Sequence, residues 1–119
     1  MSAVALKSDK KLNKALRKLA GKTGEPERGG LILDDRTLVE IENHSETPLE
    51  GAVLSLQPEH LALLPRAIGT WHTHPGSTAN LSVGDSQTFT AWPDMLHAIV
   101  GEEETRWYAV RHGAVINAA

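Results

Sequence analysis

The chain has 119 residues, the length of one domain, and hydrophobic residues make up 40% of it, enough to bury a core. This length excludes TIM barrels and two-domain enzymes. Twelve Lys and Arg against fifteen Asp and Glu give a formal net charge of −3, unlike the basic surface of nucleic-acid-binding proteins. We therefore expect a single folded domain over residues 1–119 and no nucleic-acid partner.

Cysteine is absent, which excludes a disulfide framework, a thiolate zinc site and a cysteine nucleophile. The lysines near the start of the chain are not followed by the apolar stretch of a secretory signal. Apolar runs are also shorter than the roughly 20 residues that cross a bilayer. The sequence predicts a cytoplasmic protein with no membrane attachment.

The first predicted element is a helix from Asp9 to Ala20. Its apolar residues recur at three- and four-residue spacing, which is the pattern of one buried helical face. Ser8 or Asp9 is suited to cap its start, and Gly21 is suited to a left-handed stop. The basic residues lie mostly on the opposite face and are expected to be solvated.

A hairpin is predicted next, with an apolar run at Leu31–Leu33, a turn at Asp34–Arg36 and an alternating strand at Thr37–Glu42. A further strand at Ala52–Leu56 and a short helix at Pro58–Leu64, ended by Pro65, follow.

The second half of the chain alternates strands with one helix. The predicted elements are a strand at Ala67–Trp71, a helix near Val83–Thr90, and strands at Met95–Val100 and Arg106–Arg111 around the acidic turn at 102–104. Strands separated by few, dispersed helices favour an α/β fold with a mixed sheet flanked by helices.

His72 and His74 follow the strand that ends at Trp71. Side chains two apart on a strand point to the same side, so the two imidazoles are placed to share one metal ion. Asp85 adds a carboxylate near the start of the next helix. Two imidazoles and a carboxylate with an open fourth position are typical of a catalytic zinc ion.

Asp85 also has a purely structural interpretation. An acidic residue in the first turn of a helix favours the helix dipole, and Ser82 with Asp85 fits an approximate capping box. That interpretation leaves the two histidines unexplained. The remaining histidines lack a spaced partner and are expected to be surface or structural residues: His44, His60, His97 and His112.

Two segments together resemble the JAMM (JAB/MPN-type) metalloproteases. Glu27 to Ile32 looks like the E-x-x-G-L-[LI] start of that family. His72-Thr73-His74-Pro75 followed by Ser82-Val83-Gly84-Asp85 matches its H-x-H-P…S-x-x-D signature. The elements come in the family's order, and the resemblance covers about Asp9 to Arg111. It implies an MPN/JAB-like (cytidine-deaminase-like) domain with the glutamate on the first strand.

The resemblance also implies roles for five residues. His72, His74 and Asp85 correspond to the ligands of one zinc ion per chain. Glu27 corresponds to the general base and is preferred over its acidic neighbours because Gly29-Gly30 follows it. Ser82 corresponds to the hydroxyl that stabilises the oxyanion. The implied activity is hydrolysis of a peptide or isopeptide bond.

The chain departs from the family pattern in places. Thr73 replaces the serine common between the two histidines, and no proline precedes Ser82. There is no room for the insertions that grip ubiquitin in eukaryotic deubiquitinases. The resemblance therefore implies a protein or peptide substrate with an extended tail, such as a ubiquitin-like or sulfur-carrier protein, or a role in phage tail assembly. It leaves the oligomeric state open.

Two alternatives belong to other classes. An inactive MPN-like scaffold would bind partners only, but such relatives usually lack one or more of the ligands kept here. A cupin would need a glutamate shortly after the histidine pair, and none lies between His74 and Asp85. An amidohydrolase barrel does not fit the length.

Overall fold

The computed structural model describes residues 6–41 and 58–118, so the predicted strand at Ala52–Leu56 lies outside the described residues. The elements are α1 (Lys10–Lys18), β1 (Gly29–Leu33), β2 (Leu38–Ile41), α2 (Pro58–Leu61), a 3-10 helix (Leu64–Arg66), β3 (Ala67–Thr73), α3 (Val83–Thr90), β4 (Leu96–Val100), β5 (Thr105–Arg111) and β6 (Ala114–Asn117).

Helix α1 begins as predicted and ends differently. Asp9 caps it, because its Oδ1 accepts a hydrogen bond from the Leu12 N–H at 2.9 Å. At the other end, Leu19 is still right-handed and donates back to Leu16. The predicted left-handed stop at Gly21 is wrong, since Gly21 is not among the positive-φ glycines of the described chain. A Cβ there would lie 3.1 Å from the Pro75 ring, so glycine permits close packing instead.

The six strands form one sheet in the order β2-β1-β3-β4-β5-β6. The β3–β4 pair is parallel and every other pair is antiparallel. The predicted hairpin is confirmed as β1–β2, with Arg36 at φ 72° in its turn. Strand β3 runs two residues beyond its predicted end, so that His72 lies within the sheet between Gly29 of β1 and Ile99 of β4.

The remaining predictions need smaller corrections. The helix predicted over Pro58–Leu64 ends at Leu61, and Pro65 lies inside the following 3-10 helix instead of after the last turn. Strand β6 was not predicted at all. His112 and Gly113, both with positive φ, connect it to β5 in a tight hairpin.

Helices cover both faces of the sheet. On one face, Leu12 and Leu16 of α1 pack against apolar side chains of the sheet: Ile32, Trp71, Ala98, Val100 and Trp107. On the other face, Phe89 of α3 packs with Ala79, Ile99 and Tyr108. The protein is thus a mixed α/β domain with a six-stranded sheet flanked by helices. None of the helices in residues 6–41 and 58–118 has the length and apolarity to cross a membrane.

Candidate metal centre

The histidine pair lies at the end of β3, on the face that carries α3. His72 is buried, and His74 extends the strand pairing by donating its N–H to the Val100 carbonyl at 2.9 Å. The two Nε2 atoms are 3.1 Å apart. The predicted arrangement of both imidazoles on one side of the strand is confirmed. Trp71, which directly precedes His72, packs into the core on the opposite face of the sheet.

Asp85 reaches the histidines from the first turn of α3. Its Oδ1 is 2.8 Å from Nε2 of His72, and its Oδ2 is 3.0 Å from Nε2 of His74. Ser82 and Asp85 also form a complete capping box, in which each side chain accepts a hydrogen bond from the other residue's N–H. Asp85 is therefore both a helix-capping residue and a candidate metal ligand, because the capping box fixes the carboxylate that faces the histidines.

Glu27 lies beside this group without joining it. Its Oε1 is 3.8 Å from Nε2 of His74, farther than the Asp85 oxygens, and the residue is only 9% exposed. It precedes β1, which begins at Gly29, so the expectation that it lies on the first strand needs that correction. Glu40, a competing acid, is exposed and pairs with Arg28 instead, while Glu42 lies outside the described residues.

The loop after His74 fixes the orientation of its ring. Nδ1 of His74 is 2.9 Å from the Thr78 carbonyl oxygen, which can only accept a hydrogen bond. Nδ1 therefore carries a proton, and loss of the proton that Nε2 shares with Asp85 would leave the Nε2 lone pair for a metal ion. Such a bond from the second nitrogen is typical of histidines that bind metals. Sequence reasoning missed this carbonyl, because a backbone acceptor leaves no signal in residue type.

His97 confirms the expectation of a structural histidine. It is fully buried, with Nε2 3.0 Å from the Trp92 carbonyl and Nδ1 2.6 Å from the Thr70 hydroxyl. Its ring stacks on Phe89, which in turn contacts His72. Both ring nitrogens of His97 are hydrogen-bonded, so neither is available to a metal ion. His97 contacts the site only through Phe89, which packs between it and His72.

The electrostatics of the group favour a bound cation. Burial would raise the pKa of Asp85, but hydrogen bonds with His72 and His74 outweigh it and hold that pKa well below its usual range. Burial raises the pKa of Glu27, against the pull of the two imidazoles. Burial works to lower the pKa of His74, yet its bonds to Asp85 and the Thr78 carbonyl raise it overall. The buried Asp85 carboxylate thus draws positive charge to this point.

The group can hold a metal ion. His72, His74 and Asp85 each offer one ligand atom, and these atoms all lie within 4.8 Å of one another. A cleft of about 320 Å³ opens beside them. It is lined by Gly24, Glu25, Glu27, His74, Pro75, Ser77 and Ser82. All five residues singled out from the sequence therefore lie at one place in the fold.

Comparison with known proteins supports the fold alone. No family model matches the chain, and no curated protein does. The solution structure of protein DSY2949 from Desulfitobacterium hafniense, a structural-genomics target, is similar, with a TM-score of 0.63. That similarity covers 91% of this chain and 86% of the other at 19% sequence identity. The two proteins are therefore similar in fold.

Proposed function

We propose that this protein is a zinc-dependent peptidase or isopeptidase of the JAMM type, with an MPN/JAB-like fold. The observation that carries the proposal is the position of Glu27. A buried carboxylate 3.8 Å from a histidine nitrogen is close to the centre of the ligand group yet outside it. A general base needs that placement, whereas a structural zinc site would hold its fourth ligand as close as the other three.

The three ligands suit zinc. With zinc–nitrogen distances of about 2.0–2.1 Å, neighbouring ligand atoms of a tetrahedral site lie roughly 3.4 Å apart. Here the two Nε2 atoms are 3.1 Å apart, and they lie 2.8 and 3.0 Å from different oxygens of Asp85, so the rings would shift outward to admit an ion beside one of those oxygens. When bound, zinc supplies Lewis-acid chemistry, since it lowers the pKa of a water molecule and polarises a carbonyl group.

Glu27 and Ser82 have complementary roles in this proposal. Glu27 accepts a proton from the attacking water and passes it to the leaving amine. Burial raises its pKa, which suits a group that must both take up and release a proton. The Ser82 hydroxyl oxygen accepts the N–H of Asp85, and its own hydrogen remains available to the oxyanion that develops in the transition state.

The substrate enters through the cleft beside Glu27 and His74. Gly24 and Pro75 line this cleft with little side-chain bulk, which suits an extended backbone with a narrow cross-section. We therefore propose the tail of a ubiquitin-like or sulfur-carrier protein, or a phage tail protein, as the substrate, and a cytoplasmic setting.

Metal analysis and a cleavage screen test the proposal together. Protein purified without added metal should contain about one zinc per chain, and chelation should abolish cleavage of ubiquitin-like or sulfur-carrier fusions. Glu27→Gln should retain zinc and lose activity by roughly 10²–10⁴-fold, and His74→Ala should lose both. Glu59→Gln and His112→Asn change exposed residues and should retain both properties.

Two results would contradict the proposal. Loss of zinc in Glu27→Gln, with zinc kept in His74→Ala, would reverse the assigned roles. Zinc binding without cleavage of any fusion would favour the alternative function, an inactive MPN-like scaffold that binds protein partners.

A further inference from the structure

Thr73, between the two histidines, makes contacts that the metal group does not explain. It is fully buried, and its Oγ1 accepts a hydrogen bond from the Arg28 N–H at 2.9 Å. Its own N–H donates to the Arg28 carbonyl at 2.8 Å. Two hydrogen bonds, one through the side chain and one through the backbone, therefore join Thr73 to the residue that directly follows Glu27.

These bonds lie where regular strand pairing stops. The β1–β3 ladder ends with Gly29 opposite His72, so Glu27 and Arg28 lie beyond the end of β1. A chain end that leaves a sheet frays unless other bonds hold it. The Thr73 hydroxyl supplies such a bond, and it extends the ordered backbone to the residue next to Glu27.

We propose that Thr73 is a positioning residue that sets the distance of the Glu27 carboxylate from the histidine–aspartate group. Thr73 acts through the Arg28 backbone and touches neither substrate nor metal. The catalytic consequence rests on the proposed function: a base displaced by about 1 Å can lower the rate by about 10²-fold. Zinc affinity is untouched, because Glu27 is not a ligand.

The Arg28 side chain makes a second contact with the sheet, an ion pair at the surface. It pairs with Glu40 at the surface, where both side chains are nearly half exposed. Exposed ion pairs contribute little to stability because water and salt screen them. Glu40→Gln is therefore the matched control: it removes the charge that pairs with the Arg28 side chain and should leave the position of Glu27 unchanged.

The first test needs no catalysis. Thr73→Val keeps the shape of the side chain and removes the hydroxyl, whereas Thr73→Ser keeps the hydroxyl. In Thr73→Val, hydrogen exchange of the Arg28 amide should speed up at least tenfold relative to the amides of Leu31 and Ile32 in β1. Thr73→Ser and Glu40→Gln should exchange as the wild-type protein does. An unchanged Arg28 rate in Thr73→Val would overturn the proposal.

The second test separates positioning from general destabilisation. Thr73→Val should lower kcat about 10- to 100-fold with KM and zinc content unchanged, and Thr73→Ser should restore it. Thr70→Val removes a buried hydroxyl from the same strand, one bonded to His97, and should lower the melting temperature without lowering kcat. Equal loss of kcat in Thr70→Val would reduce Thr73 to a structural role and overturn the proposal.

A double-mutant cycle completes the argument. If Thr73 acts through Glu27, then Thr73→Val should change the residual turnover of Glu27→Gln less than twofold. Full additivity of the two substitutions would contradict the proposal. Should the wild-type protein cleave no fusion, the proposed function fails, while the exchange rate of the Arg28 amide still decides whether Thr73 holds this segment.

Discussion

Acid should weaken this fold through one buried histidine. His97 is inaccessible to solvent and both of its ring nitrogens are bonded, Nε2 as donor to the Trp92 carbonyl and Nδ1 as acceptor from Thr70. A second proton on the ring would bury a charge and would force the Thr70 hydroxyl to accept where it now donates. Burial therefore lowers the pKa of His97 to about 4, against 6.5 for a solvated histidine.

The sign and size of the effect follow from linkage. Between pH 6.5 and pH 4 the unfolded chain binds a proton at His97 that the folded chain does not, so stability falls as the pH falls. The contribution of neutral His97 is fully present above pH 6.5. From pH 7 to pH 5 the free energy of unfolding should drop by about 2 kcal/mol, and by about 3 kcal/mol once the pH is below 4.

Urea unfolding of the metal-free protein at pH 7 and pH 5 measures this loss. Other titrating groups contribute equally to the wild-type protein and to His97→Gln, so the difference between their losses isolates His97. The wild-type protein should lose about 2 kcal/mol more than the variant. His112→Asn, an exposed control, should show the wild-type loss. Equal losses in the wild-type protein and His97→Gln would refute the reasoning.

Three further predictions concern the cap, the sheet and the ion. Ser82→Gly should keep most of the stability of the helix cap yet lower turnover about 10²–10³-fold. Ser82→Ala should lower turnover as much and also cost about 1 kcal/mol of stability. Wild-type turnover in Ser82→Gly would refute the oxyanion role. Gly30→Ala should prevent folding, because a Cβ there overlaps the Val39 carbonyl. Gly84→Ala in α3 adds a Cβ that meets only the Ser82 Oγ, at an ordinary 3.9 Å, and should stabilise by about 0.5–1 kcal/mol; urea unfolding measures both effects. Zinc at 100 times its dissociation constant should raise the free energy of unfolding by about 2.7 kcal/mol, and calorimetry should find no such gain in His74→Ala.

The spacing of apolar residues predicted the elements that depend only on neighbouring residues. The 3.6-residue period located α1, and the bounds of α3 match the expected Val83–Thr90. Period two also placed His72 and His74 on one side of β3. Strand β6 escaped prediction because its apolar core is only Val115 and Ile116, although a histidine–glycine turn preceded it.

Other features depend on tertiary contacts that no local pattern encodes. The sequence indicates a helix stop at Gly21, but the structure gives another reason for glycine. A Cβ there would lie only 3.1 Å from the ring of Pro75, which is distant in sequence. Glu27 was connected to the histidines only by a family resemblance, because the β1–β3 pairing that brings it close is not visible in residue types. The Thr78 carbonyl and the Arg28 amide are backbone groups that every residue type carries, so the sequence gives no sign of their contributions to the site.

The pairing of β1 with β3 also constrains when the site can form. Its two strands are separated by the whole β2–α2 segment, and closing such a long loop is a slow step that usually comes late in folding. Glu27 reaches the histidines only after that step, whereas the three candidate ligands lie within residues 72–85, at the end of β3 and the start of α3, and do not depend on it. The ligand group and the proposed base are therefore assembled at different stages of folding, so a chain that already binds an ion still lacks its base until β1 has paired with β3.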